Sequence, residues 1–352
     1  MEVVFLDCRT LEVLDFGFAS DDFNIIIDCV VPQVSSFKVN KINLNVEVGD
    51  YLVIKNSPIN YIGIITSLDV EDNAHVTDIK TKDFISILDI KIKLTNYSGN
   101  LIYYLGNLIK NQYVNNADAM QNLPYLTVET SGSINGALAF EEDTVSSISS
   151  VVSTLNKAYS IGVHYELIYA FGAFAGIKLY VKPCTMGLRL KHNSSSITDL
   201  VITENNTQGI NKITFVPKTS NTSYRNTISY YLLTNGTVTT SSTSNYRYKT
   251  VVGTTKLYGD NDYNSLLTTA KTEMMSSSFD HSITFKYLTN NKIASLFTDM
   301  NVGDFIEFIG PSKTYDTMIT KINFKNNLYQ PEITLGEYRV SLTEKLKLLS
   351  MK

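Results

Sequence analysis

The sequence has little of what usually announces chemistry. Its three cysteines, Cys8, Cys29 and Cys184, include no C-x-x-C pair. So sparse and odd a set predicts neither a disulfide framework nor a zinc site, and the thiols read as small buried hydrophobes in a chain made in a reducing cytosol. The four histidines, His75, His164, His192 and His281, are scattered singly, with no i, i+4 pair and no H-E-x-x-H, so no metal centre is expected. Charge is scarce too: 18% of residues are charged, against about 25% in an average soluble chain. Lys+Arg 30 against Asp+Glu 34 leaves a net charge of -4 and a pI near 5.7. That balance argues against a protein that binds nucleic acid by releasing counterions from phosphate. No apolar run approaches the roughly 18 residues of a membrane span. The opening Met1-Glu2-Val3-Val4-Phe5-Leu6-Asp7 is acidic and only briefly apolar, so no signal peptide is expected.

Catalytic signatures are equally thin. There is no G-x-S-x-G elbow, and the abundance of serine makes any Ser/His pairing uninformative. Glu71-Asp72 and Glu141-Glu142-Asp143 offer paired carboxylates of the kind glycoside hydrolysis needs. Adjacent carboxylates point different ways along the backbone, and a turn and a helix start explain them structurally. Gly172-Ala173-Phe174-Ala175-Gly176 sits at a hairpin tip with no helix after it, so it lacks the dipole that holds a phosphate. No catalytic, cofactor-binding or metal-binding residue is expected, and the chain is read as not an enzyme.

What the chain does have is 43% hydrophobic residues, 22 tyrosines and much Asn, Ser and Thr. Its 352 residues allow two or three domains. The tyrosines could form a sugar platform, but their spread along the chain favours strand faces and subunit contacts. Above all, the chain repeats itself. Val48-Gly49-Asp50-Tyr51-Leu52 returns as Val302-Gly303-Asp304-Phe305-Ile306, and positions 48–94 align with 302–348 without a gap, with 12 identities in 47. Tyr61 meets Tyr315, Ile65-Thr66 meets Ile319-Thr320, Asn73 meets Asn327, and Leu88 meets Leu342. The duplicated Gly-Asp pairs are turn residues that tolerate positive φ, and their recurrence argues for a structural role.

Each copy predicts a meander of short antiparallel strands: Tyr51 to Lys55, Ile62 to Leu68 and Val76 to Thr81 in the first, Phe305 to Ile309, Thr317 to Ile322 and Glu332 to Leu335 in the second. Val3 to Leu6, Asn24 to Val31 and Phe37 to Leu44 add strands before the first copy, and His281 to Leu288 before the second. Between the copies, apolar spacing predicts helices over Asn100 to Tyr113 and over Asp143 to Tyr159, the latter with Asp143 as N-cap and Gly162 as stop. A hairpin of Val163 to Tyr169 and Gly176 to Lys182 follows. Residues 193–245, of which 29 of 53 are Ser, Thr or Asn, keep strand patterning at Val201-Ile202-Thr203, Lys212 to Val216 and Ile228 to Leu233. They read as solvent-washed β-structure, with Asn235-Gly236 as a hairpin turn. A last helix, Asp262 to Met275 with Asp262 as N-cap, is expected to brace the second copy. The predicted class is α+β, mainly β: two duplicated small β-barrel domains flanking a helix-plus-hairpin α+β module. The expected divisions are 1–95, an N-terminal barrel; 96–190, the α+β module; 191–260, the strand-rich Ser/Thr/Asn segment; and 261–352, a helix plus the second barrel.

Two barrels with a V-G-D-hydrophobic opening and an I-T-x-hydrophobic strand, flanking an α+β module, resemble the bacteriophage tail hub or baseplate hub family. The nearest likeness is to the tail-associated, baseplate-tip proteins of phages and prophages of Gram-positive bacteria. Asp304-Phe305-Ile306 through Ile333-Thr334-Leu335-Gly336-Glu337-Tyr338 is similar to that family's closing barrel, and Tyr246 to Thr250 to its central segment. The resemblance implies a structural virion-tail protein made in the bacterial host cytoplasm, a homotrimer joining the hexameric tail tube to a threefold tip. It implies partners among the distal tail and other tail or baseplate proteins, the mounting of receptor-binding proteins, and passage of DNA through the channel without sequence-specific binding. A trimer of two-barrel subunits would present six similar units to the tube. Some family members continue into peptidoglycan hydrolase or carbohydrate-binding domains; the end at Lys352 leads to the expectation of neither. A host-surface carbohydrate-binding adhesin is the alternative, and a peptidoglycan hydrolase the third reading.

Overall fold

The structure is a computed structural model that describes residues 1–29, 33–54, 59, 61–140, 143–170, 173–184, 187–204, 210–218, 226–233, 237–241, 253–278, 281–290 and 293–336. The Asn235-Gly236 turn, Glu141-Glu142, Phe171-Gly172, Tyr246 to Thr250 and the end of the second repeat from Glu337 onward lie outside the described residues.

The first repeat copy lies in a closed six-stranded barrel. Its strands are β1 (Glu2–Leu6), β2 (Val13–Asp28), β3 (Val34–Val39), β4 (Tyr51–Ile54), β5 (Ile62–Glu71) and β6 (Val76–Asp83), in spatial order β1-β4-β5-β6-β3-β2. The ring shuts because β1 also pairs antiparallel with β2, with Val3 opposite Gly17 and Phe5 opposite Asp15. Closure leaves no free edge on that side. Gly17 is needed there: a Cβ would stand 2.6 Å from Val39 Cγ1. All four residues of β4, Tyr-Leu-Val-Ile, are buried. One face of β4 fills the barrel and the other meets the neighbouring module, so this strand is a continuous apolar run rather than an alternating one.

The module follows. It comprises β7 (Lys91–Lys93), β8 (Tyr97–Asn100), α1 (Leu101–Tyr113), β9 (Leu126–Thr130), β10 (Asn135–Leu138), β11 (Val145–Ser147), α2 (Ile148–Tyr159), β12 (Ile161–Ala170) and β13 (Ala173–Pro183). The predicted hairpin is β12 and β13, and β9 extends it as a parallel third strand. Helix α1 starts where the spacing places it, capped by Asn100 Oδ1, which accepts from Ile102 N–H at 3.1 Å. Helix α2 starts later than expected, because Val145–Ser147 pairs with Lys91–Lys93 instead of winding into a first turn. Ser147 is its cap, while Asp143 sits at φ 63 and pairs with Lys93 at 2.5 Å. The helix ends at Ser160, φ 54, and Gly162 belongs to β12.

Strands β14 (Leu188–Lys191) and β15 (Ile197–Glu204) come next in the chain, yet they pair with strands more than 75 residues further on. The Ser/Thr/Asn-rich stretch then forms its own sheet of β16 (Lys212–Pro217), β17 (Ile228–Leu232), β18 (Val238–Thr239) and β19 (Gly253–Tyr258), ordered β18-β17-β16-β19. A short 3-10 turn, Asp260–Ser265, leads into α3 (Leu266–Ser278). Gly259, not Asp262, is the capping residue; the Asp262 carboxylate accepts the Gly259 N–H at 2.8 Å. Helix α3 does not brace the second barrel. Leu266, Ala270 and Met274 pack on Ile213, Phe215, Leu232 and Tyr258 of the four-stranded sheet. On its other side Thr268 donates to the Ala137 carbonyl at 3.0 Å.

The second repeat copy comprises β20 (His281–Tyr287), β21 (Phe305–Ile309), β22 (Thr314–Lys325) and β23 (Glu332–Gly336). With β14 and β15 these strands run β14-β21-β22-β23-β20-β15, the order of the first barrel strand for strand. The barrels join where β2 pairs with β22, from Asn24 opposite Lys325 to Asp28 opposite Lys321. One core therefore runs through both, with Phe5, Ile25, Phe37 and Tyr61 continuous with Phe285, Phe308 and Phe324.

Candidate functional site

The Gly-Asp corner of the repeat is reproduced bond by bond. Gly49 N–H donates to the Ile65 carbonyl at 2.9 Å, and Gly303 N–H to the Ile319 carbonyl at 2.7 Å. The same isoleucines donate back to Asp50 O at 2.8 Å and Asp304 O at 2.9 Å. The carboxylate of Asp50 accepts from Glu47 N–H, and that of Asp304 from Asn301 N–H, each at 2.8 Å. Thr66 and Thr320 hydroxyls both donate across a bulge, to Lys80 O and Thr334 O, at 3.1 Å. Both glycines take positive φ, 107° and 97°. A glycine supplies that backbone conformation without a Cβ clash, and the aspartate after it ties the turn that precedes it by accepting the N–H three residues back. The Gly-Asp pairs are corners of the fold, as the duplication predicts.

The two corners face different surroundings. The first borders a cleft of about 440 Å³ lined by Cys8, Arg9, Gly49, Tyr51, Met120 and Leu123. Two of its lining residues, Tyr51 and Cys8, are joined by a hydrogen-bond relay: Tyr51 OH donates to Tyr125 OH at 2.8 Å, and Tyr125 OH donates to the Cys8 carbonyl at 2.5 Å. Burial pushes the Tyr51 phenol up to about 12. The Cys8 thiol is raised by burial and then by the Asp50 and Asp7 carboxylates, the opposite of what activates a nucleophile.

The second corner is buried against the module. Asp304, 1% exposed, lies with His164 of β12 and Cys184, which follows β13, so that one ligand atom from each falls within 4.8 Å of the others. Asn156, near the end of α2, donates through Nδ2 to Cys184 Sγ at 3.2 Å. Two polar atoms in this cluster, His164 Nε2 and Asn156 Oδ1, are buried without a hydrogen-bond partner. Such an atom ordinarily costs about 1–3 kcal/mol. Gly162 makes the approach possible, since a Cβ there would stand 2.9 Å from Cys184 Sγ and 3.0 Å from His164 Nε2. Burial lowers the His164 imidazole to about 4, against the opposing pull of Asp304, so the ring is neutral at pH 7. Burial, and then the Asp304 charge, push the Cys184 thiol up to about 12. The repeat singled out Asp304, but nothing in the spacing of positions 164, 184 and 304 tied the other two to it.

The remaining candidates stay apart. Glu71 and Asp72 are exposed at a short 3-10 turn, and Gly176 packs against the Tyr125 carbonyl inside the hairpin. Among the described residues the tyrosines more than half exposed are Tyr103 on α1, Tyr169 on β12 and Tyr329 in the loop after β22. No helix among the described residues is long and apolar enough to cross a membrane.

The chain is mainly β, two like barrels sharing one core with an α+β module against them, and solved tail proteins share this fold. The chain is similar over 100% of its length to a prophage tail protein, gp18, from Listeria monocytogenes EGD-e, covering 99% of that chain at 14% identity and a TM-score of 0.55. A tail protein from Neisseria meningitidis MC58 matches 95% of this chain and 96% of its own at 13% identity and a TM-score of 0.54. The 43 kDa tail protein of prophage MuSo2 from Shewanella oneidensis matches 96% and 99% at 11% identity and a TM-score of 0.55. No protein-family model and no curated protein matches. The resemblance read from the repeat therefore holds at the level of the fold.

Proposed function

We propose that the chain is a structural, non-enzymatic protein of a phage tail tip, the hub on which a tail tube ends. The observation that carries this reading is the duplicated barrel: two copies of one strand order and one Gly-Asp corner, fused side by side through β2 and β22 in a single chain. Three such chains around an axis present six similar barrels on one side and a threefold surface on the other. That is what an adaptor between a hexameric tube and a threefold tip requires. The fold shared with the three tail proteins supports a place in the virion tail. The module and the four-stranded sheet, outside the barrel ring, are the surfaces this reading gives to baseplate and receptor-binding partners. The net charge of -4 suits a channel that lets DNA pass without holding it.

The test is the mass in solution and the position in the particle. Light scattering of the purified protein is expected to give about three times 39.4 kDa, and labelled protein is expected at the tube end in virion images. A stable monomer at all accessible concentrations, or a location on peripheral appendages, overturns the hub reading. Glycan binding by the isolated protein would move it to the adhesin class, and lysis of purified cell wall to the hydrolase class.

A further inference from the structure

We propose that His164, Cys184 and Asp304 form a binding site for a divalent zinc-like metal ion that fastens the second barrel to the α+β module. The three donors are an imidazole nitrogen, a sulfur and a carboxylate oxygen, the mixed set that zinc accepts. They come from three places far apart in the sequence, β12, the end of β13 and the second Gly-Asp corner, and lie within 4.8 Å of one another. Two further observations point to a ligand. His164 Nε2 is buried with no hydrogen-bond partner, and so is Asn156 Oδ1, whose own Nδ2 contacts Cys184 Sγ at 3.2 Å. A cation bound by the three donors answers the orphaned His164 lone pair, and it answers the second as well where Asn156 Oδ1 completes the tetrahedron. Zinc bonds of about 2.0–2.3 Å put tetrahedral donors about 3.3–3.8 Å apart, so donors that lie within 4.8 Å of one another close by at most about 1.5 Å on binding. Gly162 keeps the space open, because a Cβ there would press on both Sγ and Nε2.

Cys184 gives up its proton to solvent and His164 binds through its free Nε2. The ion then joins parts of the chain that otherwise meet through packing. The first corner has no such site among the described residues, although its Asp50 makes the same backbone bonds. The site stands independently of the tail-tip reading.

The experiment uses full-length protein stripped with a chelator, reduced, and then loaded with zinc or cobalt. We expect one metal per chain by elemental analysis, a rise in melting temperature on loading, and a cobalt spectrum carrying the thiolate charge-transfer band and the intense visible bands of tetrahedral coordination. Cys184→Ser should abolish the thiolate band and weaken zinc binding about 100-fold or more. Gly162→Ala should weaken binding while keeping every ligand atom. Because the chain has three cysteines, the Cys8→Ser/Cys29→Ser double variant leaves Cys184 as the sole thiol, and the band should persist in it. Folded wild-type protein that takes up no metal overturns the proposal. So does a band that survives Cys184→Ser or disappears in the double variant, and the latter measurement decides the matter even if Cys184→Ser does not fold.

Discussion

The two barrels carry the same strand order and the same corner, yet they finish differently. In the first, β1 lies antiparallel to β4 and closes the ring by pairing with β2, a neighbour in the chain. In the second, the strand beside β21 is β14, which runs parallel to it, and no pairing among the described residues joins β14 to β15. Parallel pairing needs a long crossover. Here the crossover from β14 to β21 encloses the whole Ser/Thr/Asn-rich sheet and α3. Duplicating a meander thus fixes its inner strands, while the outer strands are taken from whatever chain lies within reach. The loop between the outer meander strand and the corner also differs: Phe37 opposite Ile79 corresponds to Phe285 opposite Ile333, which makes that loop six residues longer in the second copy.

The largest test of this equivalence is in the shared core. Phe37→Ala and Phe285→Ala, at matched and fully buried positions, are each expected to destabilise by about 3–5 kcal/mol in urea titration. If one core serves both barrels, each variant lowers a single unfolding transition; two separate transitions would show that the barrels unfold independently. A smaller effect distinguishes the corners. Asp304→Ala, compared with Asp50→Ala in metal-free protein, is expected to lose more of the about 1–3 kcal/mol that an unsatisfied buried group costs, because Asp304 is 1% exposed and Asp50 8%. Equal losses would mean that the burial of the second corner adds nothing. The smallest effect should be the same in both copies. Gly49→Ala and Gly303→Ala force a side chain into positive φ, where nothing nearer than 3.5 Å meets the new methyl, so each is expected to lose about 1–2 kcal/mol from backbone strain alone. A markedly greater loss at either position would reveal a contact that the geometry lacks.

Much of this molecule was legible before folding. Twelve identities without a gap predicted the corners at Gly49-Asp50 and Gly303-Asp304 and the strands after them, because turn chemistry and β-patterning act over a few residues. Helix α1 was legible for the same reason: Asn100 caps an amphipathic run. The misplaced start of α2 and the role of Asp262 show the limit. Val145–Ser147 could wind or pair, and Lys91–Lys93, distant in sequence, decided that it pairs. Asp262 had the composition of a cap but acts from inside the turn.

The sequence by itself determined the duplication, the mainly β class and the structural purpose of the Gly-Asp pairs, since local propensity and self-similarity require no partner. Only the tertiary structure decided which strands complete each barrel, where α3 packs, and that His164, Cys184 and Asp304 meet at one buried corner. Pairing and burial join residues far apart in the chain. Their energies depend on what the fold brings alongside, and a linear pattern carries no record of that.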